Sequence, residues 1–294
     1  MSNTAKTPGR ARQKDAGRAL LDQSLRESLS SVKHKFMVVS SQGGVGKTSV
    51  IVNVAVALSK RRVRVGLLDV NSHGPDIHRM LGLKPAAAGT SDNRRLPVPY
   101  SDNLKVASIA FALPGTDETG AWAMPMKTSD IQRFIAGLRW GRLDYLFIDT
   151  PSGPGEALRM IIRAIPDLKV VVVTSANQVS AERAKNMINF FRKENIPIFG
   201  WIENMRGFFC HHCGRPLELF SSGCGSRAVF FGDIPFLGRI PIDPHLAESA
   251  AAGEAFVEKY PESDAARGCD LIGGKLLQGD PASLSENDSI YYDL

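Results

Sequence analysis

The stretch running Val38, Val39, Ser40, Ser41, Gln42, Gly43, Gly44, Val45, Gly46, Lys47, Thr48, Ser49 constrains this chain more than any other. The apolar run Phe36, Met37, Val38, Val39 reads as a buried strand, and Ile51, Val54, Ala55 and Leu58 recur at helical spacing beyond it. A strand, a glycine loop, Lys-Thr and a helix, in that order, make a cradle for phosphate. Glycines let successive backbone N–H groups converge on phosphate oxygens, and the helix N-terminus adds its partial positive charge. In such a cradle Lys47 reaches the β- and γ-phosphates of a nucleotide and Thr48 holds Mg²⁺. The candidate nucleotide-binding residues are therefore Ser41, Gln42, Gly43, Gly44, Val45, Gly46, Lys47, Thr48 and Ser49. The general pattern G-x-x-x-x-G-K-[ST] asks for glycine where this chain has Ser41.

The rest of the chain repeats the alternation. Strands are predicted at 36–41, 63–69, 104–109, 144–149, 168–174, 197–202 and 236–240. Helices are predicted at 47–60, 75–81, 128–139, 155–164, 181–192, 244–251 and 262–277, with loops over 84–103 and 112–127. The run Val170 to Val173 is apolar throughout, as a strand covered on both faces must be. Strands alternating with helices imply right-handed βαβ units, hence an α/β fold with a mainly parallel sheet and helices on both faces. Residues 1–15 read as disordered. Leu21, Leu25 and Leu29 mark a short amphipathic helix over 16–32 that lies on the domain or covers a partner. The expected organisation is a basic N-terminal part, 1–35, one domain over 36–278 interrupted by a cysteine-bearing segment at 203–232, and an acidic tail, 279–294.

Charge and cysteine usage narrow the class. The net charge of +6 is concentrated before Phe36, where Lys6, Arg10, Arg12, Lys14, Arg18, Arg26, Lys33 and Lys35 outnumber Asp15, Asp22 and Glu27. No aromatic residue is interleaved there, so the arm reads as a solvated tail rather than a nucleic-acid surface. Residues 1–14 lack acids, as a transit peptide does, but form no amphipathic face. No apolar run approaches the roughly 18 residues of a membrane helix. Four cysteines without a disulfide-like framework indicate a reducing compartment, and the expected location is cytoplasmic.

Two constellations carry chemistry. A phosphate cradle that hydrolyses ATP needs carboxylates at the ends of neighbouring strands. Asp69 and Asp149 end two predicted strands. Asp149 is the candidate acid for Mg²⁺, and Asp69 the candidate for orienting the attacking water. The second constellation is Cys210-His211-His212-Cys213. Two thiolates on one turn are half of a four-ligand site, and two copies across a symmetric dimer would complete it. Iron–sulfur and zinc both satisfy this pattern. Cys224 and Cys269 stand alone.

With both constellations placed, the chain resembles the Mrp/ApbC-type P-loop ATPases, a branch of the MinD/ParA-like superfamily. The resemblance covers about 20–277. It rests on Gly43 to Thr48, Gly74-Pro75, Arg79 to Gly82, Trp140-Gly141, Ile148 to Gly153, Glu203-Asn204-Met205, Cys210 with Cys213, and Phe236 to Pro241. It implies a dimer whose cysteine pairs, Cys210 and Cys213, bridge a [4Fe–4S] cluster that is passed to apo-proteins, with adenine lying near Asn204 and Pro241. This chain departs from the family in several places. Gln42 stands where the superfamily has a second lysine that crosses to the partner's nucleotide. Asn71 replaces a second Asp, Ala123-Met124 follows Trp122 where Arg-Gly is usual, and Glu156 replaces Asp. No cysteine precedes Cys210, so no second, N-terminal cluster is expected. The reading is an ATP-binding cluster carrier with hydrolysis weakened at Gln42, working as a homodimer or with a lysine-bearing paralogue. The alternatives are a MinD/ParA-like positioning switch and a non-hydrolysing regulatory subunit.

Overall fold

A computed structural model describes residues 8–84, 90–91, 94–112, 127–176, 178–209, 213, 215–217 and 231–278. Its centre is a nine-stranded sheet. The strands are β1 (Val32–Val39), β2 (Val65–Asp69), β5 (Val98–Ser101), β6 (Leu104–Ser108), β7 (Leu143–Asp149), β8 (Leu168–Ser175), β9 (Ile198–Phe209), β10 (Pro216–Leu217) and β11 (Phe236–Ile242). The short β3 (Thr90–Ser91) and β4 (Arg94–Arg95) form a separate pair. The spatial order is β10-β9-β8-β1-β7-β2-β6-β5, with β11 alongside β9. Pairings are parallel except for β5 with β6 and β10 with β9 at the margins. The predicted α/β class, a mainly parallel sheet with helices on both faces, is the one observed.

Period-two alternation divides the central strands between two cores. Met37 and Val39 of β1, with Val170 and Val172 of β8, enter one cluster. Phe36 and Val38, with Val171 and Val173, enter the other. The first is covered by α1 (Pro8–Leu29), α4 (Thr128–Ala136), α5 (Glu156–Ala164) and α6 (Gln178–Lys193). The second is covered by α2 (Lys47–Lys60), the short α3 (Ile77–Met80) and the C-terminal helix Asp264–Leu277.

Several boundaries depart from expectation. The N-terminal helix begins at Pro8 rather than near residue 16, with proline in the first turn where its missing N–H costs nothing. Its Leu25 and Leu29 are buried, and Ser28 Oγ donates to the Ile135 carbonyl at 3.0 Å, so the helix lies on the domain. The predicted loop 84–103 contains β5, an antiparallel edge strand that tolerates Pro99. The strand predicted over 197–202 runs on to Phe209, and helix 262–277 is preceded by a separate short helix, Phe256–Lys259. Residues 1–7 and the acidic tail 279–294 lie outside the described residues, as do Trp122, Ala123 and Met124.

Candidate functional site

The order of strands places the chemistry. β1 lies between β7 and β8, so the loops leaving their carboxyl ends emerge side by side. The loop after β1 carries the glycines. Gly44 has φ +80° and Gly46 has φ +75°, in the left-handed region that glycine adopts freely. A Cβ at Gly46 would lie 2.3 Å from Asn204 Nδ2, so this position takes no side chain. That amide instead donates to the Val45 carbonyl at 2.9 Å and ties the loop to β9. On the other flank, the Gly153 N–H donates to the Ser40 carbonyl at 3.0 Å, joining the loop after β7 to the glycine loop.

Helix α2 begins at Lys47, as expected from the Gly46-Lys47-Thr48 boundary. Lys47 Nζ donates to Asp149 Oδ1, and Thr48 Oγ1 donates to Asp149 Oδ2 at 2.7 Å. Asp149 is fully buried at the end of β7. The three residues predicted to meet phosphate and metal are thus one hydrogen-bonded group. Above them lies a cavity of about 200 Å³ lined by Ser40, the loop from Gly43 to Ser49, Asn71 and Ser152. Its size suits a phosphate chain rather than a whole nucleotide. Adjacent Thr48 hydroxyl and Asp149 carboxylate oxygens are the hard donors that Mg²⁺ takes. Ser41 Oγ is buried and has no hydrogen-bond partner among the described residues.

Asp69 pairs in register with Asp149 across β2 and β7. Burial, reinforced by the negative charge of Asp149, pushes its carboxyl well above the usual carboxylate range. Its oxygens accept the N–H groups of Asn71 at 3.1 Å and Ile77 at 3.2 Å, and the Ser108 hydroxyl at 3.3 Å. It therefore holds the loop that presents Asn71 to the cavity. Asn71 and Ser152 are cavity residues that sequence reasoning did not assign; each stands shortly after a strand-ending Asp, which was the available signal.

Asn204 is buried beneath the loop, and Pro241 is buried within β11. Gln42 lies at the rim, its Oε1 accepting from Arg183 Nη1 at 3.3 Å. Glu156 is the first residue of α5, where its charge complements the helix N-terminus. The cysteine-bearing segment expected at 203–232 begins inside β9, which runs on to Phe209, and β10 returns antiparallel with Pro216 opposite Phe209. Cys213, between the two strands, is exposed and free. Cys210, His211, His212 and Cys224 lie outside the described residues. Cys269 is buried in the second core, and burial pushes its thiol up to about 12.

Fold and loop together define a P-loop nucleotide-binding NTPase. Residues 31–277 match the family model described as ParA, NUBPL iron-transfer P-loop NTPase, and the chain belongs to that family. It is 38% identical over 233 residues to the "Iron-sulfur cluster carrier protein" of Methanocaldococcus jannaschii, covering 79% of this chain and 80% of that one. It is 35% identical over 263 residues to the "Cytosolic Fe-S cluster assembly factor NUBP2" of Bos taurus, covering 88% and 97%. A nucleotide-binding protein of Archaeoglobus fulgidus solved with ADP superposes with a TM-score of 0.69 at 30% identity, covering 84% of this chain and 95% of that one. The MinD protein of Pyrococcus horikoshii, at 19% identity and a TM-score of 0.58, covering 86% and 100%, shares the fold.

Proposed function

We propose that this protein is an ATP-binding iron–sulfur cluster carrier. Two copies hold one [4Fe–4S] cluster through Cys210 and Cys213 of each chain and deliver it to apo-proteins. The observation that carries the reading is the free, exposed Cys213 in the connection between β9 and β10, in a chain whose relatives are named as cluster carriers and assembly factors. β10 ends the sheet, so a thiol beside it is accessible to a second copy. A symmetric pair converts two thiolates per chain into the four ligands such clusters take.

In this reading the glycine loop binds the phosphates, Lys47 neutralises them, and Thr48 and Asp149 take Mg²⁺. Asp69 acts as a positioning residue by holding Asn71 at the cavity wall. Asn204 spends its Nδ2 on Val45, which leaves Oδ1 to accept from the exocyclic amine of an adenine near Pro241. ATP turnover is slow because Gln42 carries no charge. A paralogue with lysine at this position, paired with this chain, would supply the missing charge. No helix among the described residues is long and apolar enough to cross a membrane. We place the protein in the cytoplasm, as the name of the Bos taurus relative states for that protein.

Anaerobic reconstitution tests the proposal. One cluster per two chains is expected, with broad visible absorbance that Cys213→Ala abolishes and Cys269→Ala leaves intact. Stoichiometric zinc without iron would refute it.

A further inference from the structure

We infer that Arg183 is a phosphate-binding residue that supplies a positive charge to the rim of the glycine loop beside Gln42. This rests on the nucleotide-binding reading of the loop. Topology brings Arg183 there. β8 neighbours β1 on the side opposite β7, and α6 follows β8 directly. The start of α6 is anchored to the end of β8: Thr174 Oγ1 and Ser180 Oγ are 2.9 Å apart, and Ser180 Oγ accepts the Ser175 N–H at 3.2 Å. One turn further, the Arg183 guanidinium reaches Gln42 Oε1 at 3.3 Å.

Charge explains why this contact matters. A magnesium-bound nucleoside triphosphate remains an anion. Lys47, the loop's own cation, lies beside the Asp149 carboxylate, so the positive charge Lys47 brings to the phosphates is offset in sum by the negative charge Asp149 brings to the same site. Gln42 is uncharged and contributes only an amide. Arginine has no acceptor atoms, so its contact with Gln42 fixes the amide with oxygen toward the guanidinium and nitrogen away from it. The guanidinium keeps its full charge against this neutral acceptor and has further N–H groups for a second acceptor. Its planar fork suits phosphate oxygens. Arg183 is exposed, so it can turn to the phosphates without disturbing a packed core.

The test is calorimetric titration of the full-length protein with Mg-ATP, at low and at high salt. Arg183→Ala should weaken binding about tenfold, the change that one charge-assisted hydrogen bond brings, and should flatten the salt dependence. Arg183→Lys should retain most of the affinity. The thermal midpoint should be the same in all variants, which separates charge from folding. Wild-type affinity in Arg183→Ala, or a loss in Arg183→Lys as large as in Arg183→Ala, overturns the inference and leaves the phosphate loop standing. A wild-type isotherm without binding overturns the nucleotide reading and the inference with it.

Discussion

Gly46→Ala probes the joint on which the site is built. The new methyl meets two obstacles. At φ +75° an alanine pays roughly 1–2 kcal/mol for the left-handed backbone. Its Cβ would also lie 2.3 Å from Asn204 Nδ2, so that side chain must withdraw from the Val45 carbonyl. Withdrawal costs about 1–3 kcal/mol, because it leaves a buried polar group unsatisfied. The single substitution should therefore destabilise the protein by about 2–5 kcal/mol. Asn204→Ala alone should cost about 1–3 kcal/mol by losing the same hydrogen bond. The double variant lacks the amide that clashes, so only the backbone penalty and one lost hydrogen bond remain. Its cost should fall short of the sum of the single variants by about 1–3 kcal/mol, the hydrogen-bond loss that the two single variants each suffer and the double variant suffers once. Urea denaturation of the four proteins, without nucleotide, completes the cycle. Additivity to within ~0.5 kcal/mol, the behaviour of independent sites, would refute the claim that Asn204 and Gly46 occupy one packed joint.

Other expectations follow from individual contacts. Met205 has φ +61° within β9, so Met205→Gly should be more stable than Met205→Ala by about 1 kcal/mol in the same denaturation assay; the reverse order would contradict the backbone argument. The Asp144 carboxylate is held below the usual range, first by its hydrogen bond to the Arg64 guanidinium. A depressed pKa means stability that is present above the ordinary value of 3.8 and is lost as pH falls through the folded value. Asp144→Asn should therefore cost about 1–2 kcal/mol at pH near 7, for a partly exposed, charge-assisted pair, and progressively less on acidification below 3.8. A cost that does not change with pH would contradict this assignment. Gln42→Lys should raise steady-state ATP turnover at least tenfold, toward the much larger effects known for charges supplied to a transferring phosphoryl group; equal rates would show that position 42 does not limit hydrolysis.

The parts of the fold legible in the sequence are those dictated locally. The start of α2 follows from three glycines and Lys-Thr, and β7 and β8 follow from short apolar runs ending in Asp149 and Thr174. What escaped depends on distant partners. β1 begins at Val32 because Val32 and His34 pair with Leu143 and Tyr145, a register that Lys33 and Lys35 conceal in an apolar-run reading. β9 continues through Met205 and Gly207, both at positive φ, which a strand pattern does not anticipate. Within the site, Lys47, Thr48 and Asp149 were legible as types at a spacing. The bond from Asn204 to Val45 joins residues far apart in the chain, and Arg183 reaches Gln42 only because β8 lies beside β1.

The central claim is tested most directly by the iron and acid-labile sulfide content of the protein purified and reconstituted without oxygen, together with its mass in solution. The account predicts four irons and four sulfides per pair of chains, in a species of twice the chain mass that reverts when Cys213 is replaced by alanine. A monomer that binds Mg-ATP yet holds no iron, or holds zinc in its place, would contradict it.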